Sequence, residues 1–137
     1  MKFGFATLSA MSLVVATVFT GHSAKAAAEV VAMKSGETIE RGEVYFISTA
    51  NCRSLVKGPL SVEILEGPPE VTASIREQQV VPRKYNCAKP VPGGVLLLTA
   101  AKDIKDRIQA KLILRVKYPT VDGERQTSHD IDLTIVP

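Results

Sequence analysis

Apolar positions fall into two regimes along the chain. From Phe3 to Thr20 they run almost without interruption behind one basic residue, Lys2; from Val30 onward they recur in short runs broken by Gly, Pro and Asn. The first regime predicts a secretory leader. The run is short and weakly flanked for a membrane span, and Ala24-Lys25-Ala26 or Ala26-Ala27-Ala28 supplies the small-x-small pattern of a signal-peptidase site. No cysteine closes the run, which argues against lipoprotein processing. Residues 1–27 are therefore read as a signal peptide and 28–137 as one domain with a single core. The expected location is periplasmic or secreted, with no stable membrane insertion after cleavage.

The second regime has period two, the signature of strands. Val30–Lys34 predicts a first strand that turns at Ser35-Gly36, and Glu43–Ser48 predicts a second that leads into Cys52. Pro59–Leu65 predicts a third, with Leu60, Val62 and Ile64 on one face; Gly67-Pro68-Pro69 ends it, because proline has no N–H for a ladder. Val71–Glu77 predicts a fourth, which Gln78–Pro82 extends or follows as a new edge. Lys89–Gly94 reads as a rigid loop, and Val95–Ala100, apolar on both faces, as a central strand. The charged stretch Ala101–Gln109 admits one helical turn. Ala110–Tyr118 and His129–Val136 predict an antiparallel pair around the loop Pro119–Ser128. Their inner faces are Leu112, Leu114, Val116 and Tyr118 against Ile131, Leu133 and Ile135. Outside, placing Lys117 opposite Asp130 puts Arg115 opposite Asp132.

Short strands, Pro- and Gly-rich turns and no helical crossover predict an all-β fold: an immunoglobulin-like antiparallel β-sandwich of about seven strands with one disulfide. The bridge follows from compartment, since an exported domain holding only Cys52 and Cys87 matures in an oxidising space. A metal or redox pair is the competing reading, but there is no C-x-x-C and no nearby histidine. The chain has no Trp, and a 35-residue spacing is short for a bridge between sheets. The bridge is expected to tie the end of the second strand to a loop at one end of the sandwich.

Cys52, then Pro59-x-x-Val62-x-Ile64, the Gly67-Pro68 turn, a polar strand, Cys87 and a Pro92-Gly93-Gly94 turn resembles small exported bacterial domains with an immunoglobulin-like sandwich. The likeness spans about a third of the chain. It implies a fold and a compartment and carries across no catalytic or binding residues. Where such domains often place Gly-x-Asp-x-aromatic before the final strands, this chain has Tyr118-Pro119-Thr120-Val121-Asp122-Gly123.

Charge narrows the partners. The formal net charge of +3 includes Lys2 and Lys25 of the leader; without them 15 Lys+Arg stand against 14 Asp+Glu. A near-neutral domain in an exported compartment disfavours nucleic acid. Ser128-His129-Asp130 has the residue types of a hydrolase triad, but neighbours on a strand alternate faces and cannot converge. His129 is the one histidine outside the leader, too few for a copper or zinc site. No spacing singles out a carboxylate pair among Glu63, Glu66, Glu70 and Glu77. Asp103, Asp106 and Asp122-Gly123-Glu124 make no calcium loop.

The candidate partner-binding loop is Arg83, Lys84, Tyr85 and Lys89 around Cys87, with Lys57 brought near by the bridge. The bland alternative is a solvated basic loop that discourages edge pairing. The expectation is a module with no catalytic role and no cofactor or metal that binds another envelope or extracellular component. An inhibitor of a secreted hydrolase and a pilus-type subunit are the alternatives.

Overall fold

The computed structural model describes residues 28–137, so the signal peptide expected over 1–27 lies outside the described residues. Within them, period-two alternation resolves into seven strands. These are β1 (Glu29–Lys34), β2 (Thr38–Val44), β3 (Ser61–Glu66), β4 (Val71–Val80), β5 (Val91–Ala100), β6 (Ile108–Thr120) and β7 (Gly123–Val136). They form a four-stranded sheet ordered β1-β7-β6-β3 and a three-stranded sheet ordered β2-β5-β4. Inward residues of both sheets make one core, in which Leu98, Leu112, Leu114, Val116 and Ile135 are fully buried. Among the described residues no helix is long and apolar enough to cross a membrane.

Pairing is antiparallel throughout except at β1, which runs parallel to β7 with Glu29 opposite Ile131. This corrects the wholly antiparallel expectation. The short Ser35–Glu37 turn delivers the chain into the other sheet, so β1 finds its ladder on the free side of β7. Arg41 on β2 forms an ion pair with Glu29, tying the start of β1 across the sandwich.

The second strand is Thr38–Val44 and not Glu43–Ser48. Its alternation is masked in sequence because the register shifts between Glu40 and Glu43, where Gly42 adopts φ 124°. An extra residue there changes which side chains face inward. β5 is central, as its apolar run predicts, but begins at Val91 and takes in Pro92-Gly93-Gly94. Pairing with β2 stops at Gly94, so Pro92 has only β4 beside it and needs no second ladder partner. No helix forms over Ala101–Gln109. Ser35 Oγ instead accepts the Ile104 N–H at 3.0 Å and donates to the Ala101 carbonyl at 3.2 Å, satisfying that loop's backbone from a side chain. The one helical piece among the described residues is a 3-10 turn at Arg83–Tyr85.

The final pair is a long ribbon, and Pro119–Ser128 is mostly strand. It reverses at Val121-Asp122 and closes on Gly123 at φ 106°, a left-handed position suited to glycine. The register sets Lys111 against Asp132 and Ile113 against Asp130, so the expected Lys117–Asp130 and Arg115–Asp132 pairs do not form. The slide preserves parity, and the inner faces are as the alternation predicts. Lys117 pairs instead with Glu63 of β3 at 3.1 Å.

Tyr118 sits on the inner face of this ribbon near its turn, 3% exposed, with its hydroxyl 3.2 Å from Thr127 Oγ1. Burial raises its phenol above the ordinary value near 10, and the Thr127 hydrogen bond offsets part of that rise. A raised folded-state value means that the folded chain holds its proton longer than the unfolded chain. This contribution is therefore complete below about pH 10 and is lost as the pH climbs through the folded-state value. Tyr118→Phe is expected to flatten the alkaline fall of the thermal midpoint, measured by circular dichroism between neutral and strongly alkaline buffer.

Candidate functional site

Three connections meet at one end of the sandwich: residues 45–60 between β2 and β3, residues 81–90 between β4 and β5, and the Val121-Asp122 turn between β6 and β7. The first of these folds on itself. Leu55 N–H bonds to the Phe46 carbonyl and Ser48 N–H to the Arg53 carbonyl, each at 2.9 Å, while Cys52 takes a left-handed φ of 59° at the reversal. Lys57 N–H then donates to the Pro119 carbonyl at 2.8 Å, and Val56 bridges Thr120, attaching the small hairpin to the tip of the β6–β7 ribbon. The Phe46 ring lies 5.6 Å from that of Tyr118, which anchors the hairpin to the main core.

The 81–90 connection turns through Arg83–Tyr85 and closes with Asn86 N–H on the Arg83 carbonyl and Cys87 N–H on the Pro82 carbonyl. It packs on a small group of its own. Val80, Pro82, Cys87 and Val91 are buried, yet all stand apart from the cluster between the sheets. Val80 and Val91 are register partners, and a Cβ built on Gly93 would meet Val80 Cγ2 and Tyr45 Cβ. The connection is thus folded over a satellite core, as long loops often are. The Cys52–Cys87 disulfide joins it to the 45–60 hairpin, as the sequence predicts. The Tyr45 phenol is raised above its ordinary value, first by burial and then by the nearby Tyr85 and Glu43.

The bridge leaves five cations on the outside. Arg53, Lys57, Arg83, Lys84 and Lys89 are all exposed, and neither long connection contains an acidic residue. The ion pairs among the described residues involve Arg41, Arg76 and Lys117 and none of these five. Lys84 Nζ stands 5.7 Å from the centre of the Tyr85 ring, a cation–π distance. A near-neutral total therefore conceals a polarised domain, because the 10 cations elsewhere in 28–137 face 14 acids.

Arg83, Lys84, Tyr85 and Lys89 do share one connection, but its near neighbour across the disulfide is Arg53. Arg53 and Lys89 line the same groove along the bridge. Lys57 lies on a separate cavity of about 460 Å³ with Arg53, Arg125, Phe46, Leu55 and Val121. Arg53, Leu55, Val121 and Arg125 were not among the sequence candidates. The signals for them were the adjacency of Arg53 to Cys52 and the Asp122-Gly123 pair, which marks a tight turn with Val121 at its tip.

The apparent triad residues diverge. His129 is half-buried opposite Leu114, whereas Ser128 and Asp130 are exposed. His129 Nε2 lies 3.4 Å from Thr127 Oγ1, at the end of a polar row that starts at Tyr118. Among the described residues no group of three His, Cys, Asp or Glu could hold a metal ion. Compared with known proteins, the chain matches no family model, no curated protein and no solved structure.

Proposed function

We propose that this chain is an exported, non-catalytic module with an immunoglobulin-like sandwich that binds an anionic envelope or extracellular component through its disulfide-braced end. In a Gram-negative cell it works in the periplasm. The observation that carries this reading is the set of five exposed, unpaired cations on two acid-free connections joined by one bridge. Connections braced before binding lose less backbone entropy on binding, and concentrated charge accelerates encounter with an oppositely charged partner. The sheet orders β2-β5-β4 and β1-β7-β6-β3 support the immunoglobulin-like assignment: they follow the B-E-D and G-F-C arrangements, with the first strand transferred to the second sheet. The disulfide supports an oxidising compartment.

The test is binding of labelled protein, purified after expression of the full chain, to washed cell envelopes. Arg83→Glu/Lys84→Glu/Lys89→Glu is expected to weaken binding by at least about tenfold, with an unchanged thermal midpoint because all three side chains are exposed. Equal binding by this variant and the parent would overturn the proposal.

A further inference from the structure

We infer that the braced end is a peripheral docking surface for anionic lipid bilayers, an inference that rests on the binding reading above and names its partner. Three of the five large hydrophobic side chains that the described residues expose lie at this one end: Val121 at 78%, Tyr85 at 42% and Leu55 at 39%. Val121 is the most informative. A tight turn that closes on Gly123 needs nothing aliphatic at its first position, and this side chain adds nothing to the core. Leu55 lines the same cavity as Val121, so the two connections offer their apolar tips side by side.

Around these tips stand Arg53, Lys57 and Arg125, with Arg83, Lys84 and Lys89 on the neighbouring connection. Asp122 and Glu124 flank the turn, with Gln126 Nε2 donating to Glu124 at 2.7 Å, and Glu77 accepts the Leu60 N–H at the end of the 45–60 connection. Asp122 and Glu124 subtract two charges from a six-cation surface, which stays net positive.

Charge complementarity selects the occupant. Cations spread over two connections and the start of β7, with apolar tips raised among them, match an extended anionic plane better than a single acidic side chain in a pocket. Each cation near such a plane gains by its negative surface potential, and Tyr at the interface suits a ring with one apolar and one polar end. Val121 and Leu55 then enter the headgroup boundary while the Lys and Arg stems reach back to phosphate. Contact of this kind is reversible, since two short aliphatic side chains are far from a spanning segment.

Co-sedimentation with protein-free vesicles tests it, comparing phosphatidylcholine alone with phosphatidylcholine containing about a third phosphatidylglycerol. Protein purified after expression of the full chain is expected to bind the anionic vesicles at least about tenfold more tightly than the neutral ones, and to lose that binding in about 0.5 M salt. Arg53→Glu/Lys57→Glu should abolish binding, and Leu55→Asp/Val121→Asp should weaken it by about tenfold. These four positions are exposed, and an unchanged thermal midpoint confirms that each variant folds. Equal binding to both vesicle types, or full retention by either variant, would overturn the inference. Envelope binding that depends on Arg83, Lys84 and Lys89, together with no vesicle binding, would do the same and would leave the broader reading standing, with a protein or glycan as partner.

Discussion

Replacing Cys52 and Cys87 together with Ala is expected to lower the unfolding free energy by about 3–4 kcal/mol and the thermal midpoint by on the order of 15 °C. The bridge closes a 35-residue span, and in the chain-entropy view its removal frees the unfolded chain to sample far more of that loop. A domain of this size has only about 5–15 kcal/mol of net stability, so the change removes a large share. The same substitution should act on binding by a second route. The bridge unites the Arg53 hairpin with the connection that carries Lys84 and Lys89, and without it each set of cations moves independently. Urea unfolding of the double variant beside the oxidised parent reads the first effect. Hydrogen exchange over residues 45–57 and 81–90 reads the second. A loss below about 1 kcal/mol would mean that the satellite core around Val80, Pro82 and Val91 holds these connections without the sulfur link.

What was legible in the sequence follows the strength of its local signals. Leu112, Leu114, Val116 and Tyr118 against Ile131, Leu133 and Ile135 could be assigned to one face because parity survives a register error: a slide by an even number of residues returns every side chain to its side. The charge pairs could not, because they depend on the register itself, which the Val121-Asp122 turn fixes. β2 was displaced because Arg41-Gly42 adds a residue to its ladder; Thr38–Val44 then shows Ile39 and Val44 inward at a spacing that no strict alternation contains. The disulfide was legible because a chain with only two cysteines, in the oxidising compartment that its sequence predicts, permits one pairing. The candidate surface was half legible. Arg83, Lys84, Tyr85 and Lys89 are contiguous, whereas Arg53, Leu55, Val121 and Arg125 are joined to them by topology and by the fold of residues 45–57, which no local pattern encodes.

Gly93→Val is expected to destabilise the chain by about 3 kcal/mol, at the upper end of what overpacking usually costs. Sequence alone assigns Gly93 to a rigid Pro-Gly-Gly loop. In the structure it lies inside β5, and a Cβ there would stand 2.5 Å from the Val44 carbonyl oxygen and 2.7 Å from Val80 Cγ2. A flexible side chain yields to such a contact, but a backbone carbonyl at the end of β2 yields only if the strand moves. Gly42→Ala is the control: nothing lies within 4 Å of its added Cβ, so its cost comes from φ 124° alone and should be about 1 kcal/mol. If crowding governs, Gly93→Val exceeds Gly42→Ala in urea unfolding, and its damage spreads into residues 45–57, which leave the sheet directly after Val44. Because Gly93 and the bridge both act on the satellite core, combining Gly93→Val with the cysteine double variant should cost less than the two losses added. Strict additivity would place the two effects in separate parts of the molecule and would remove the structural link between the β5 glycine and the cationic end.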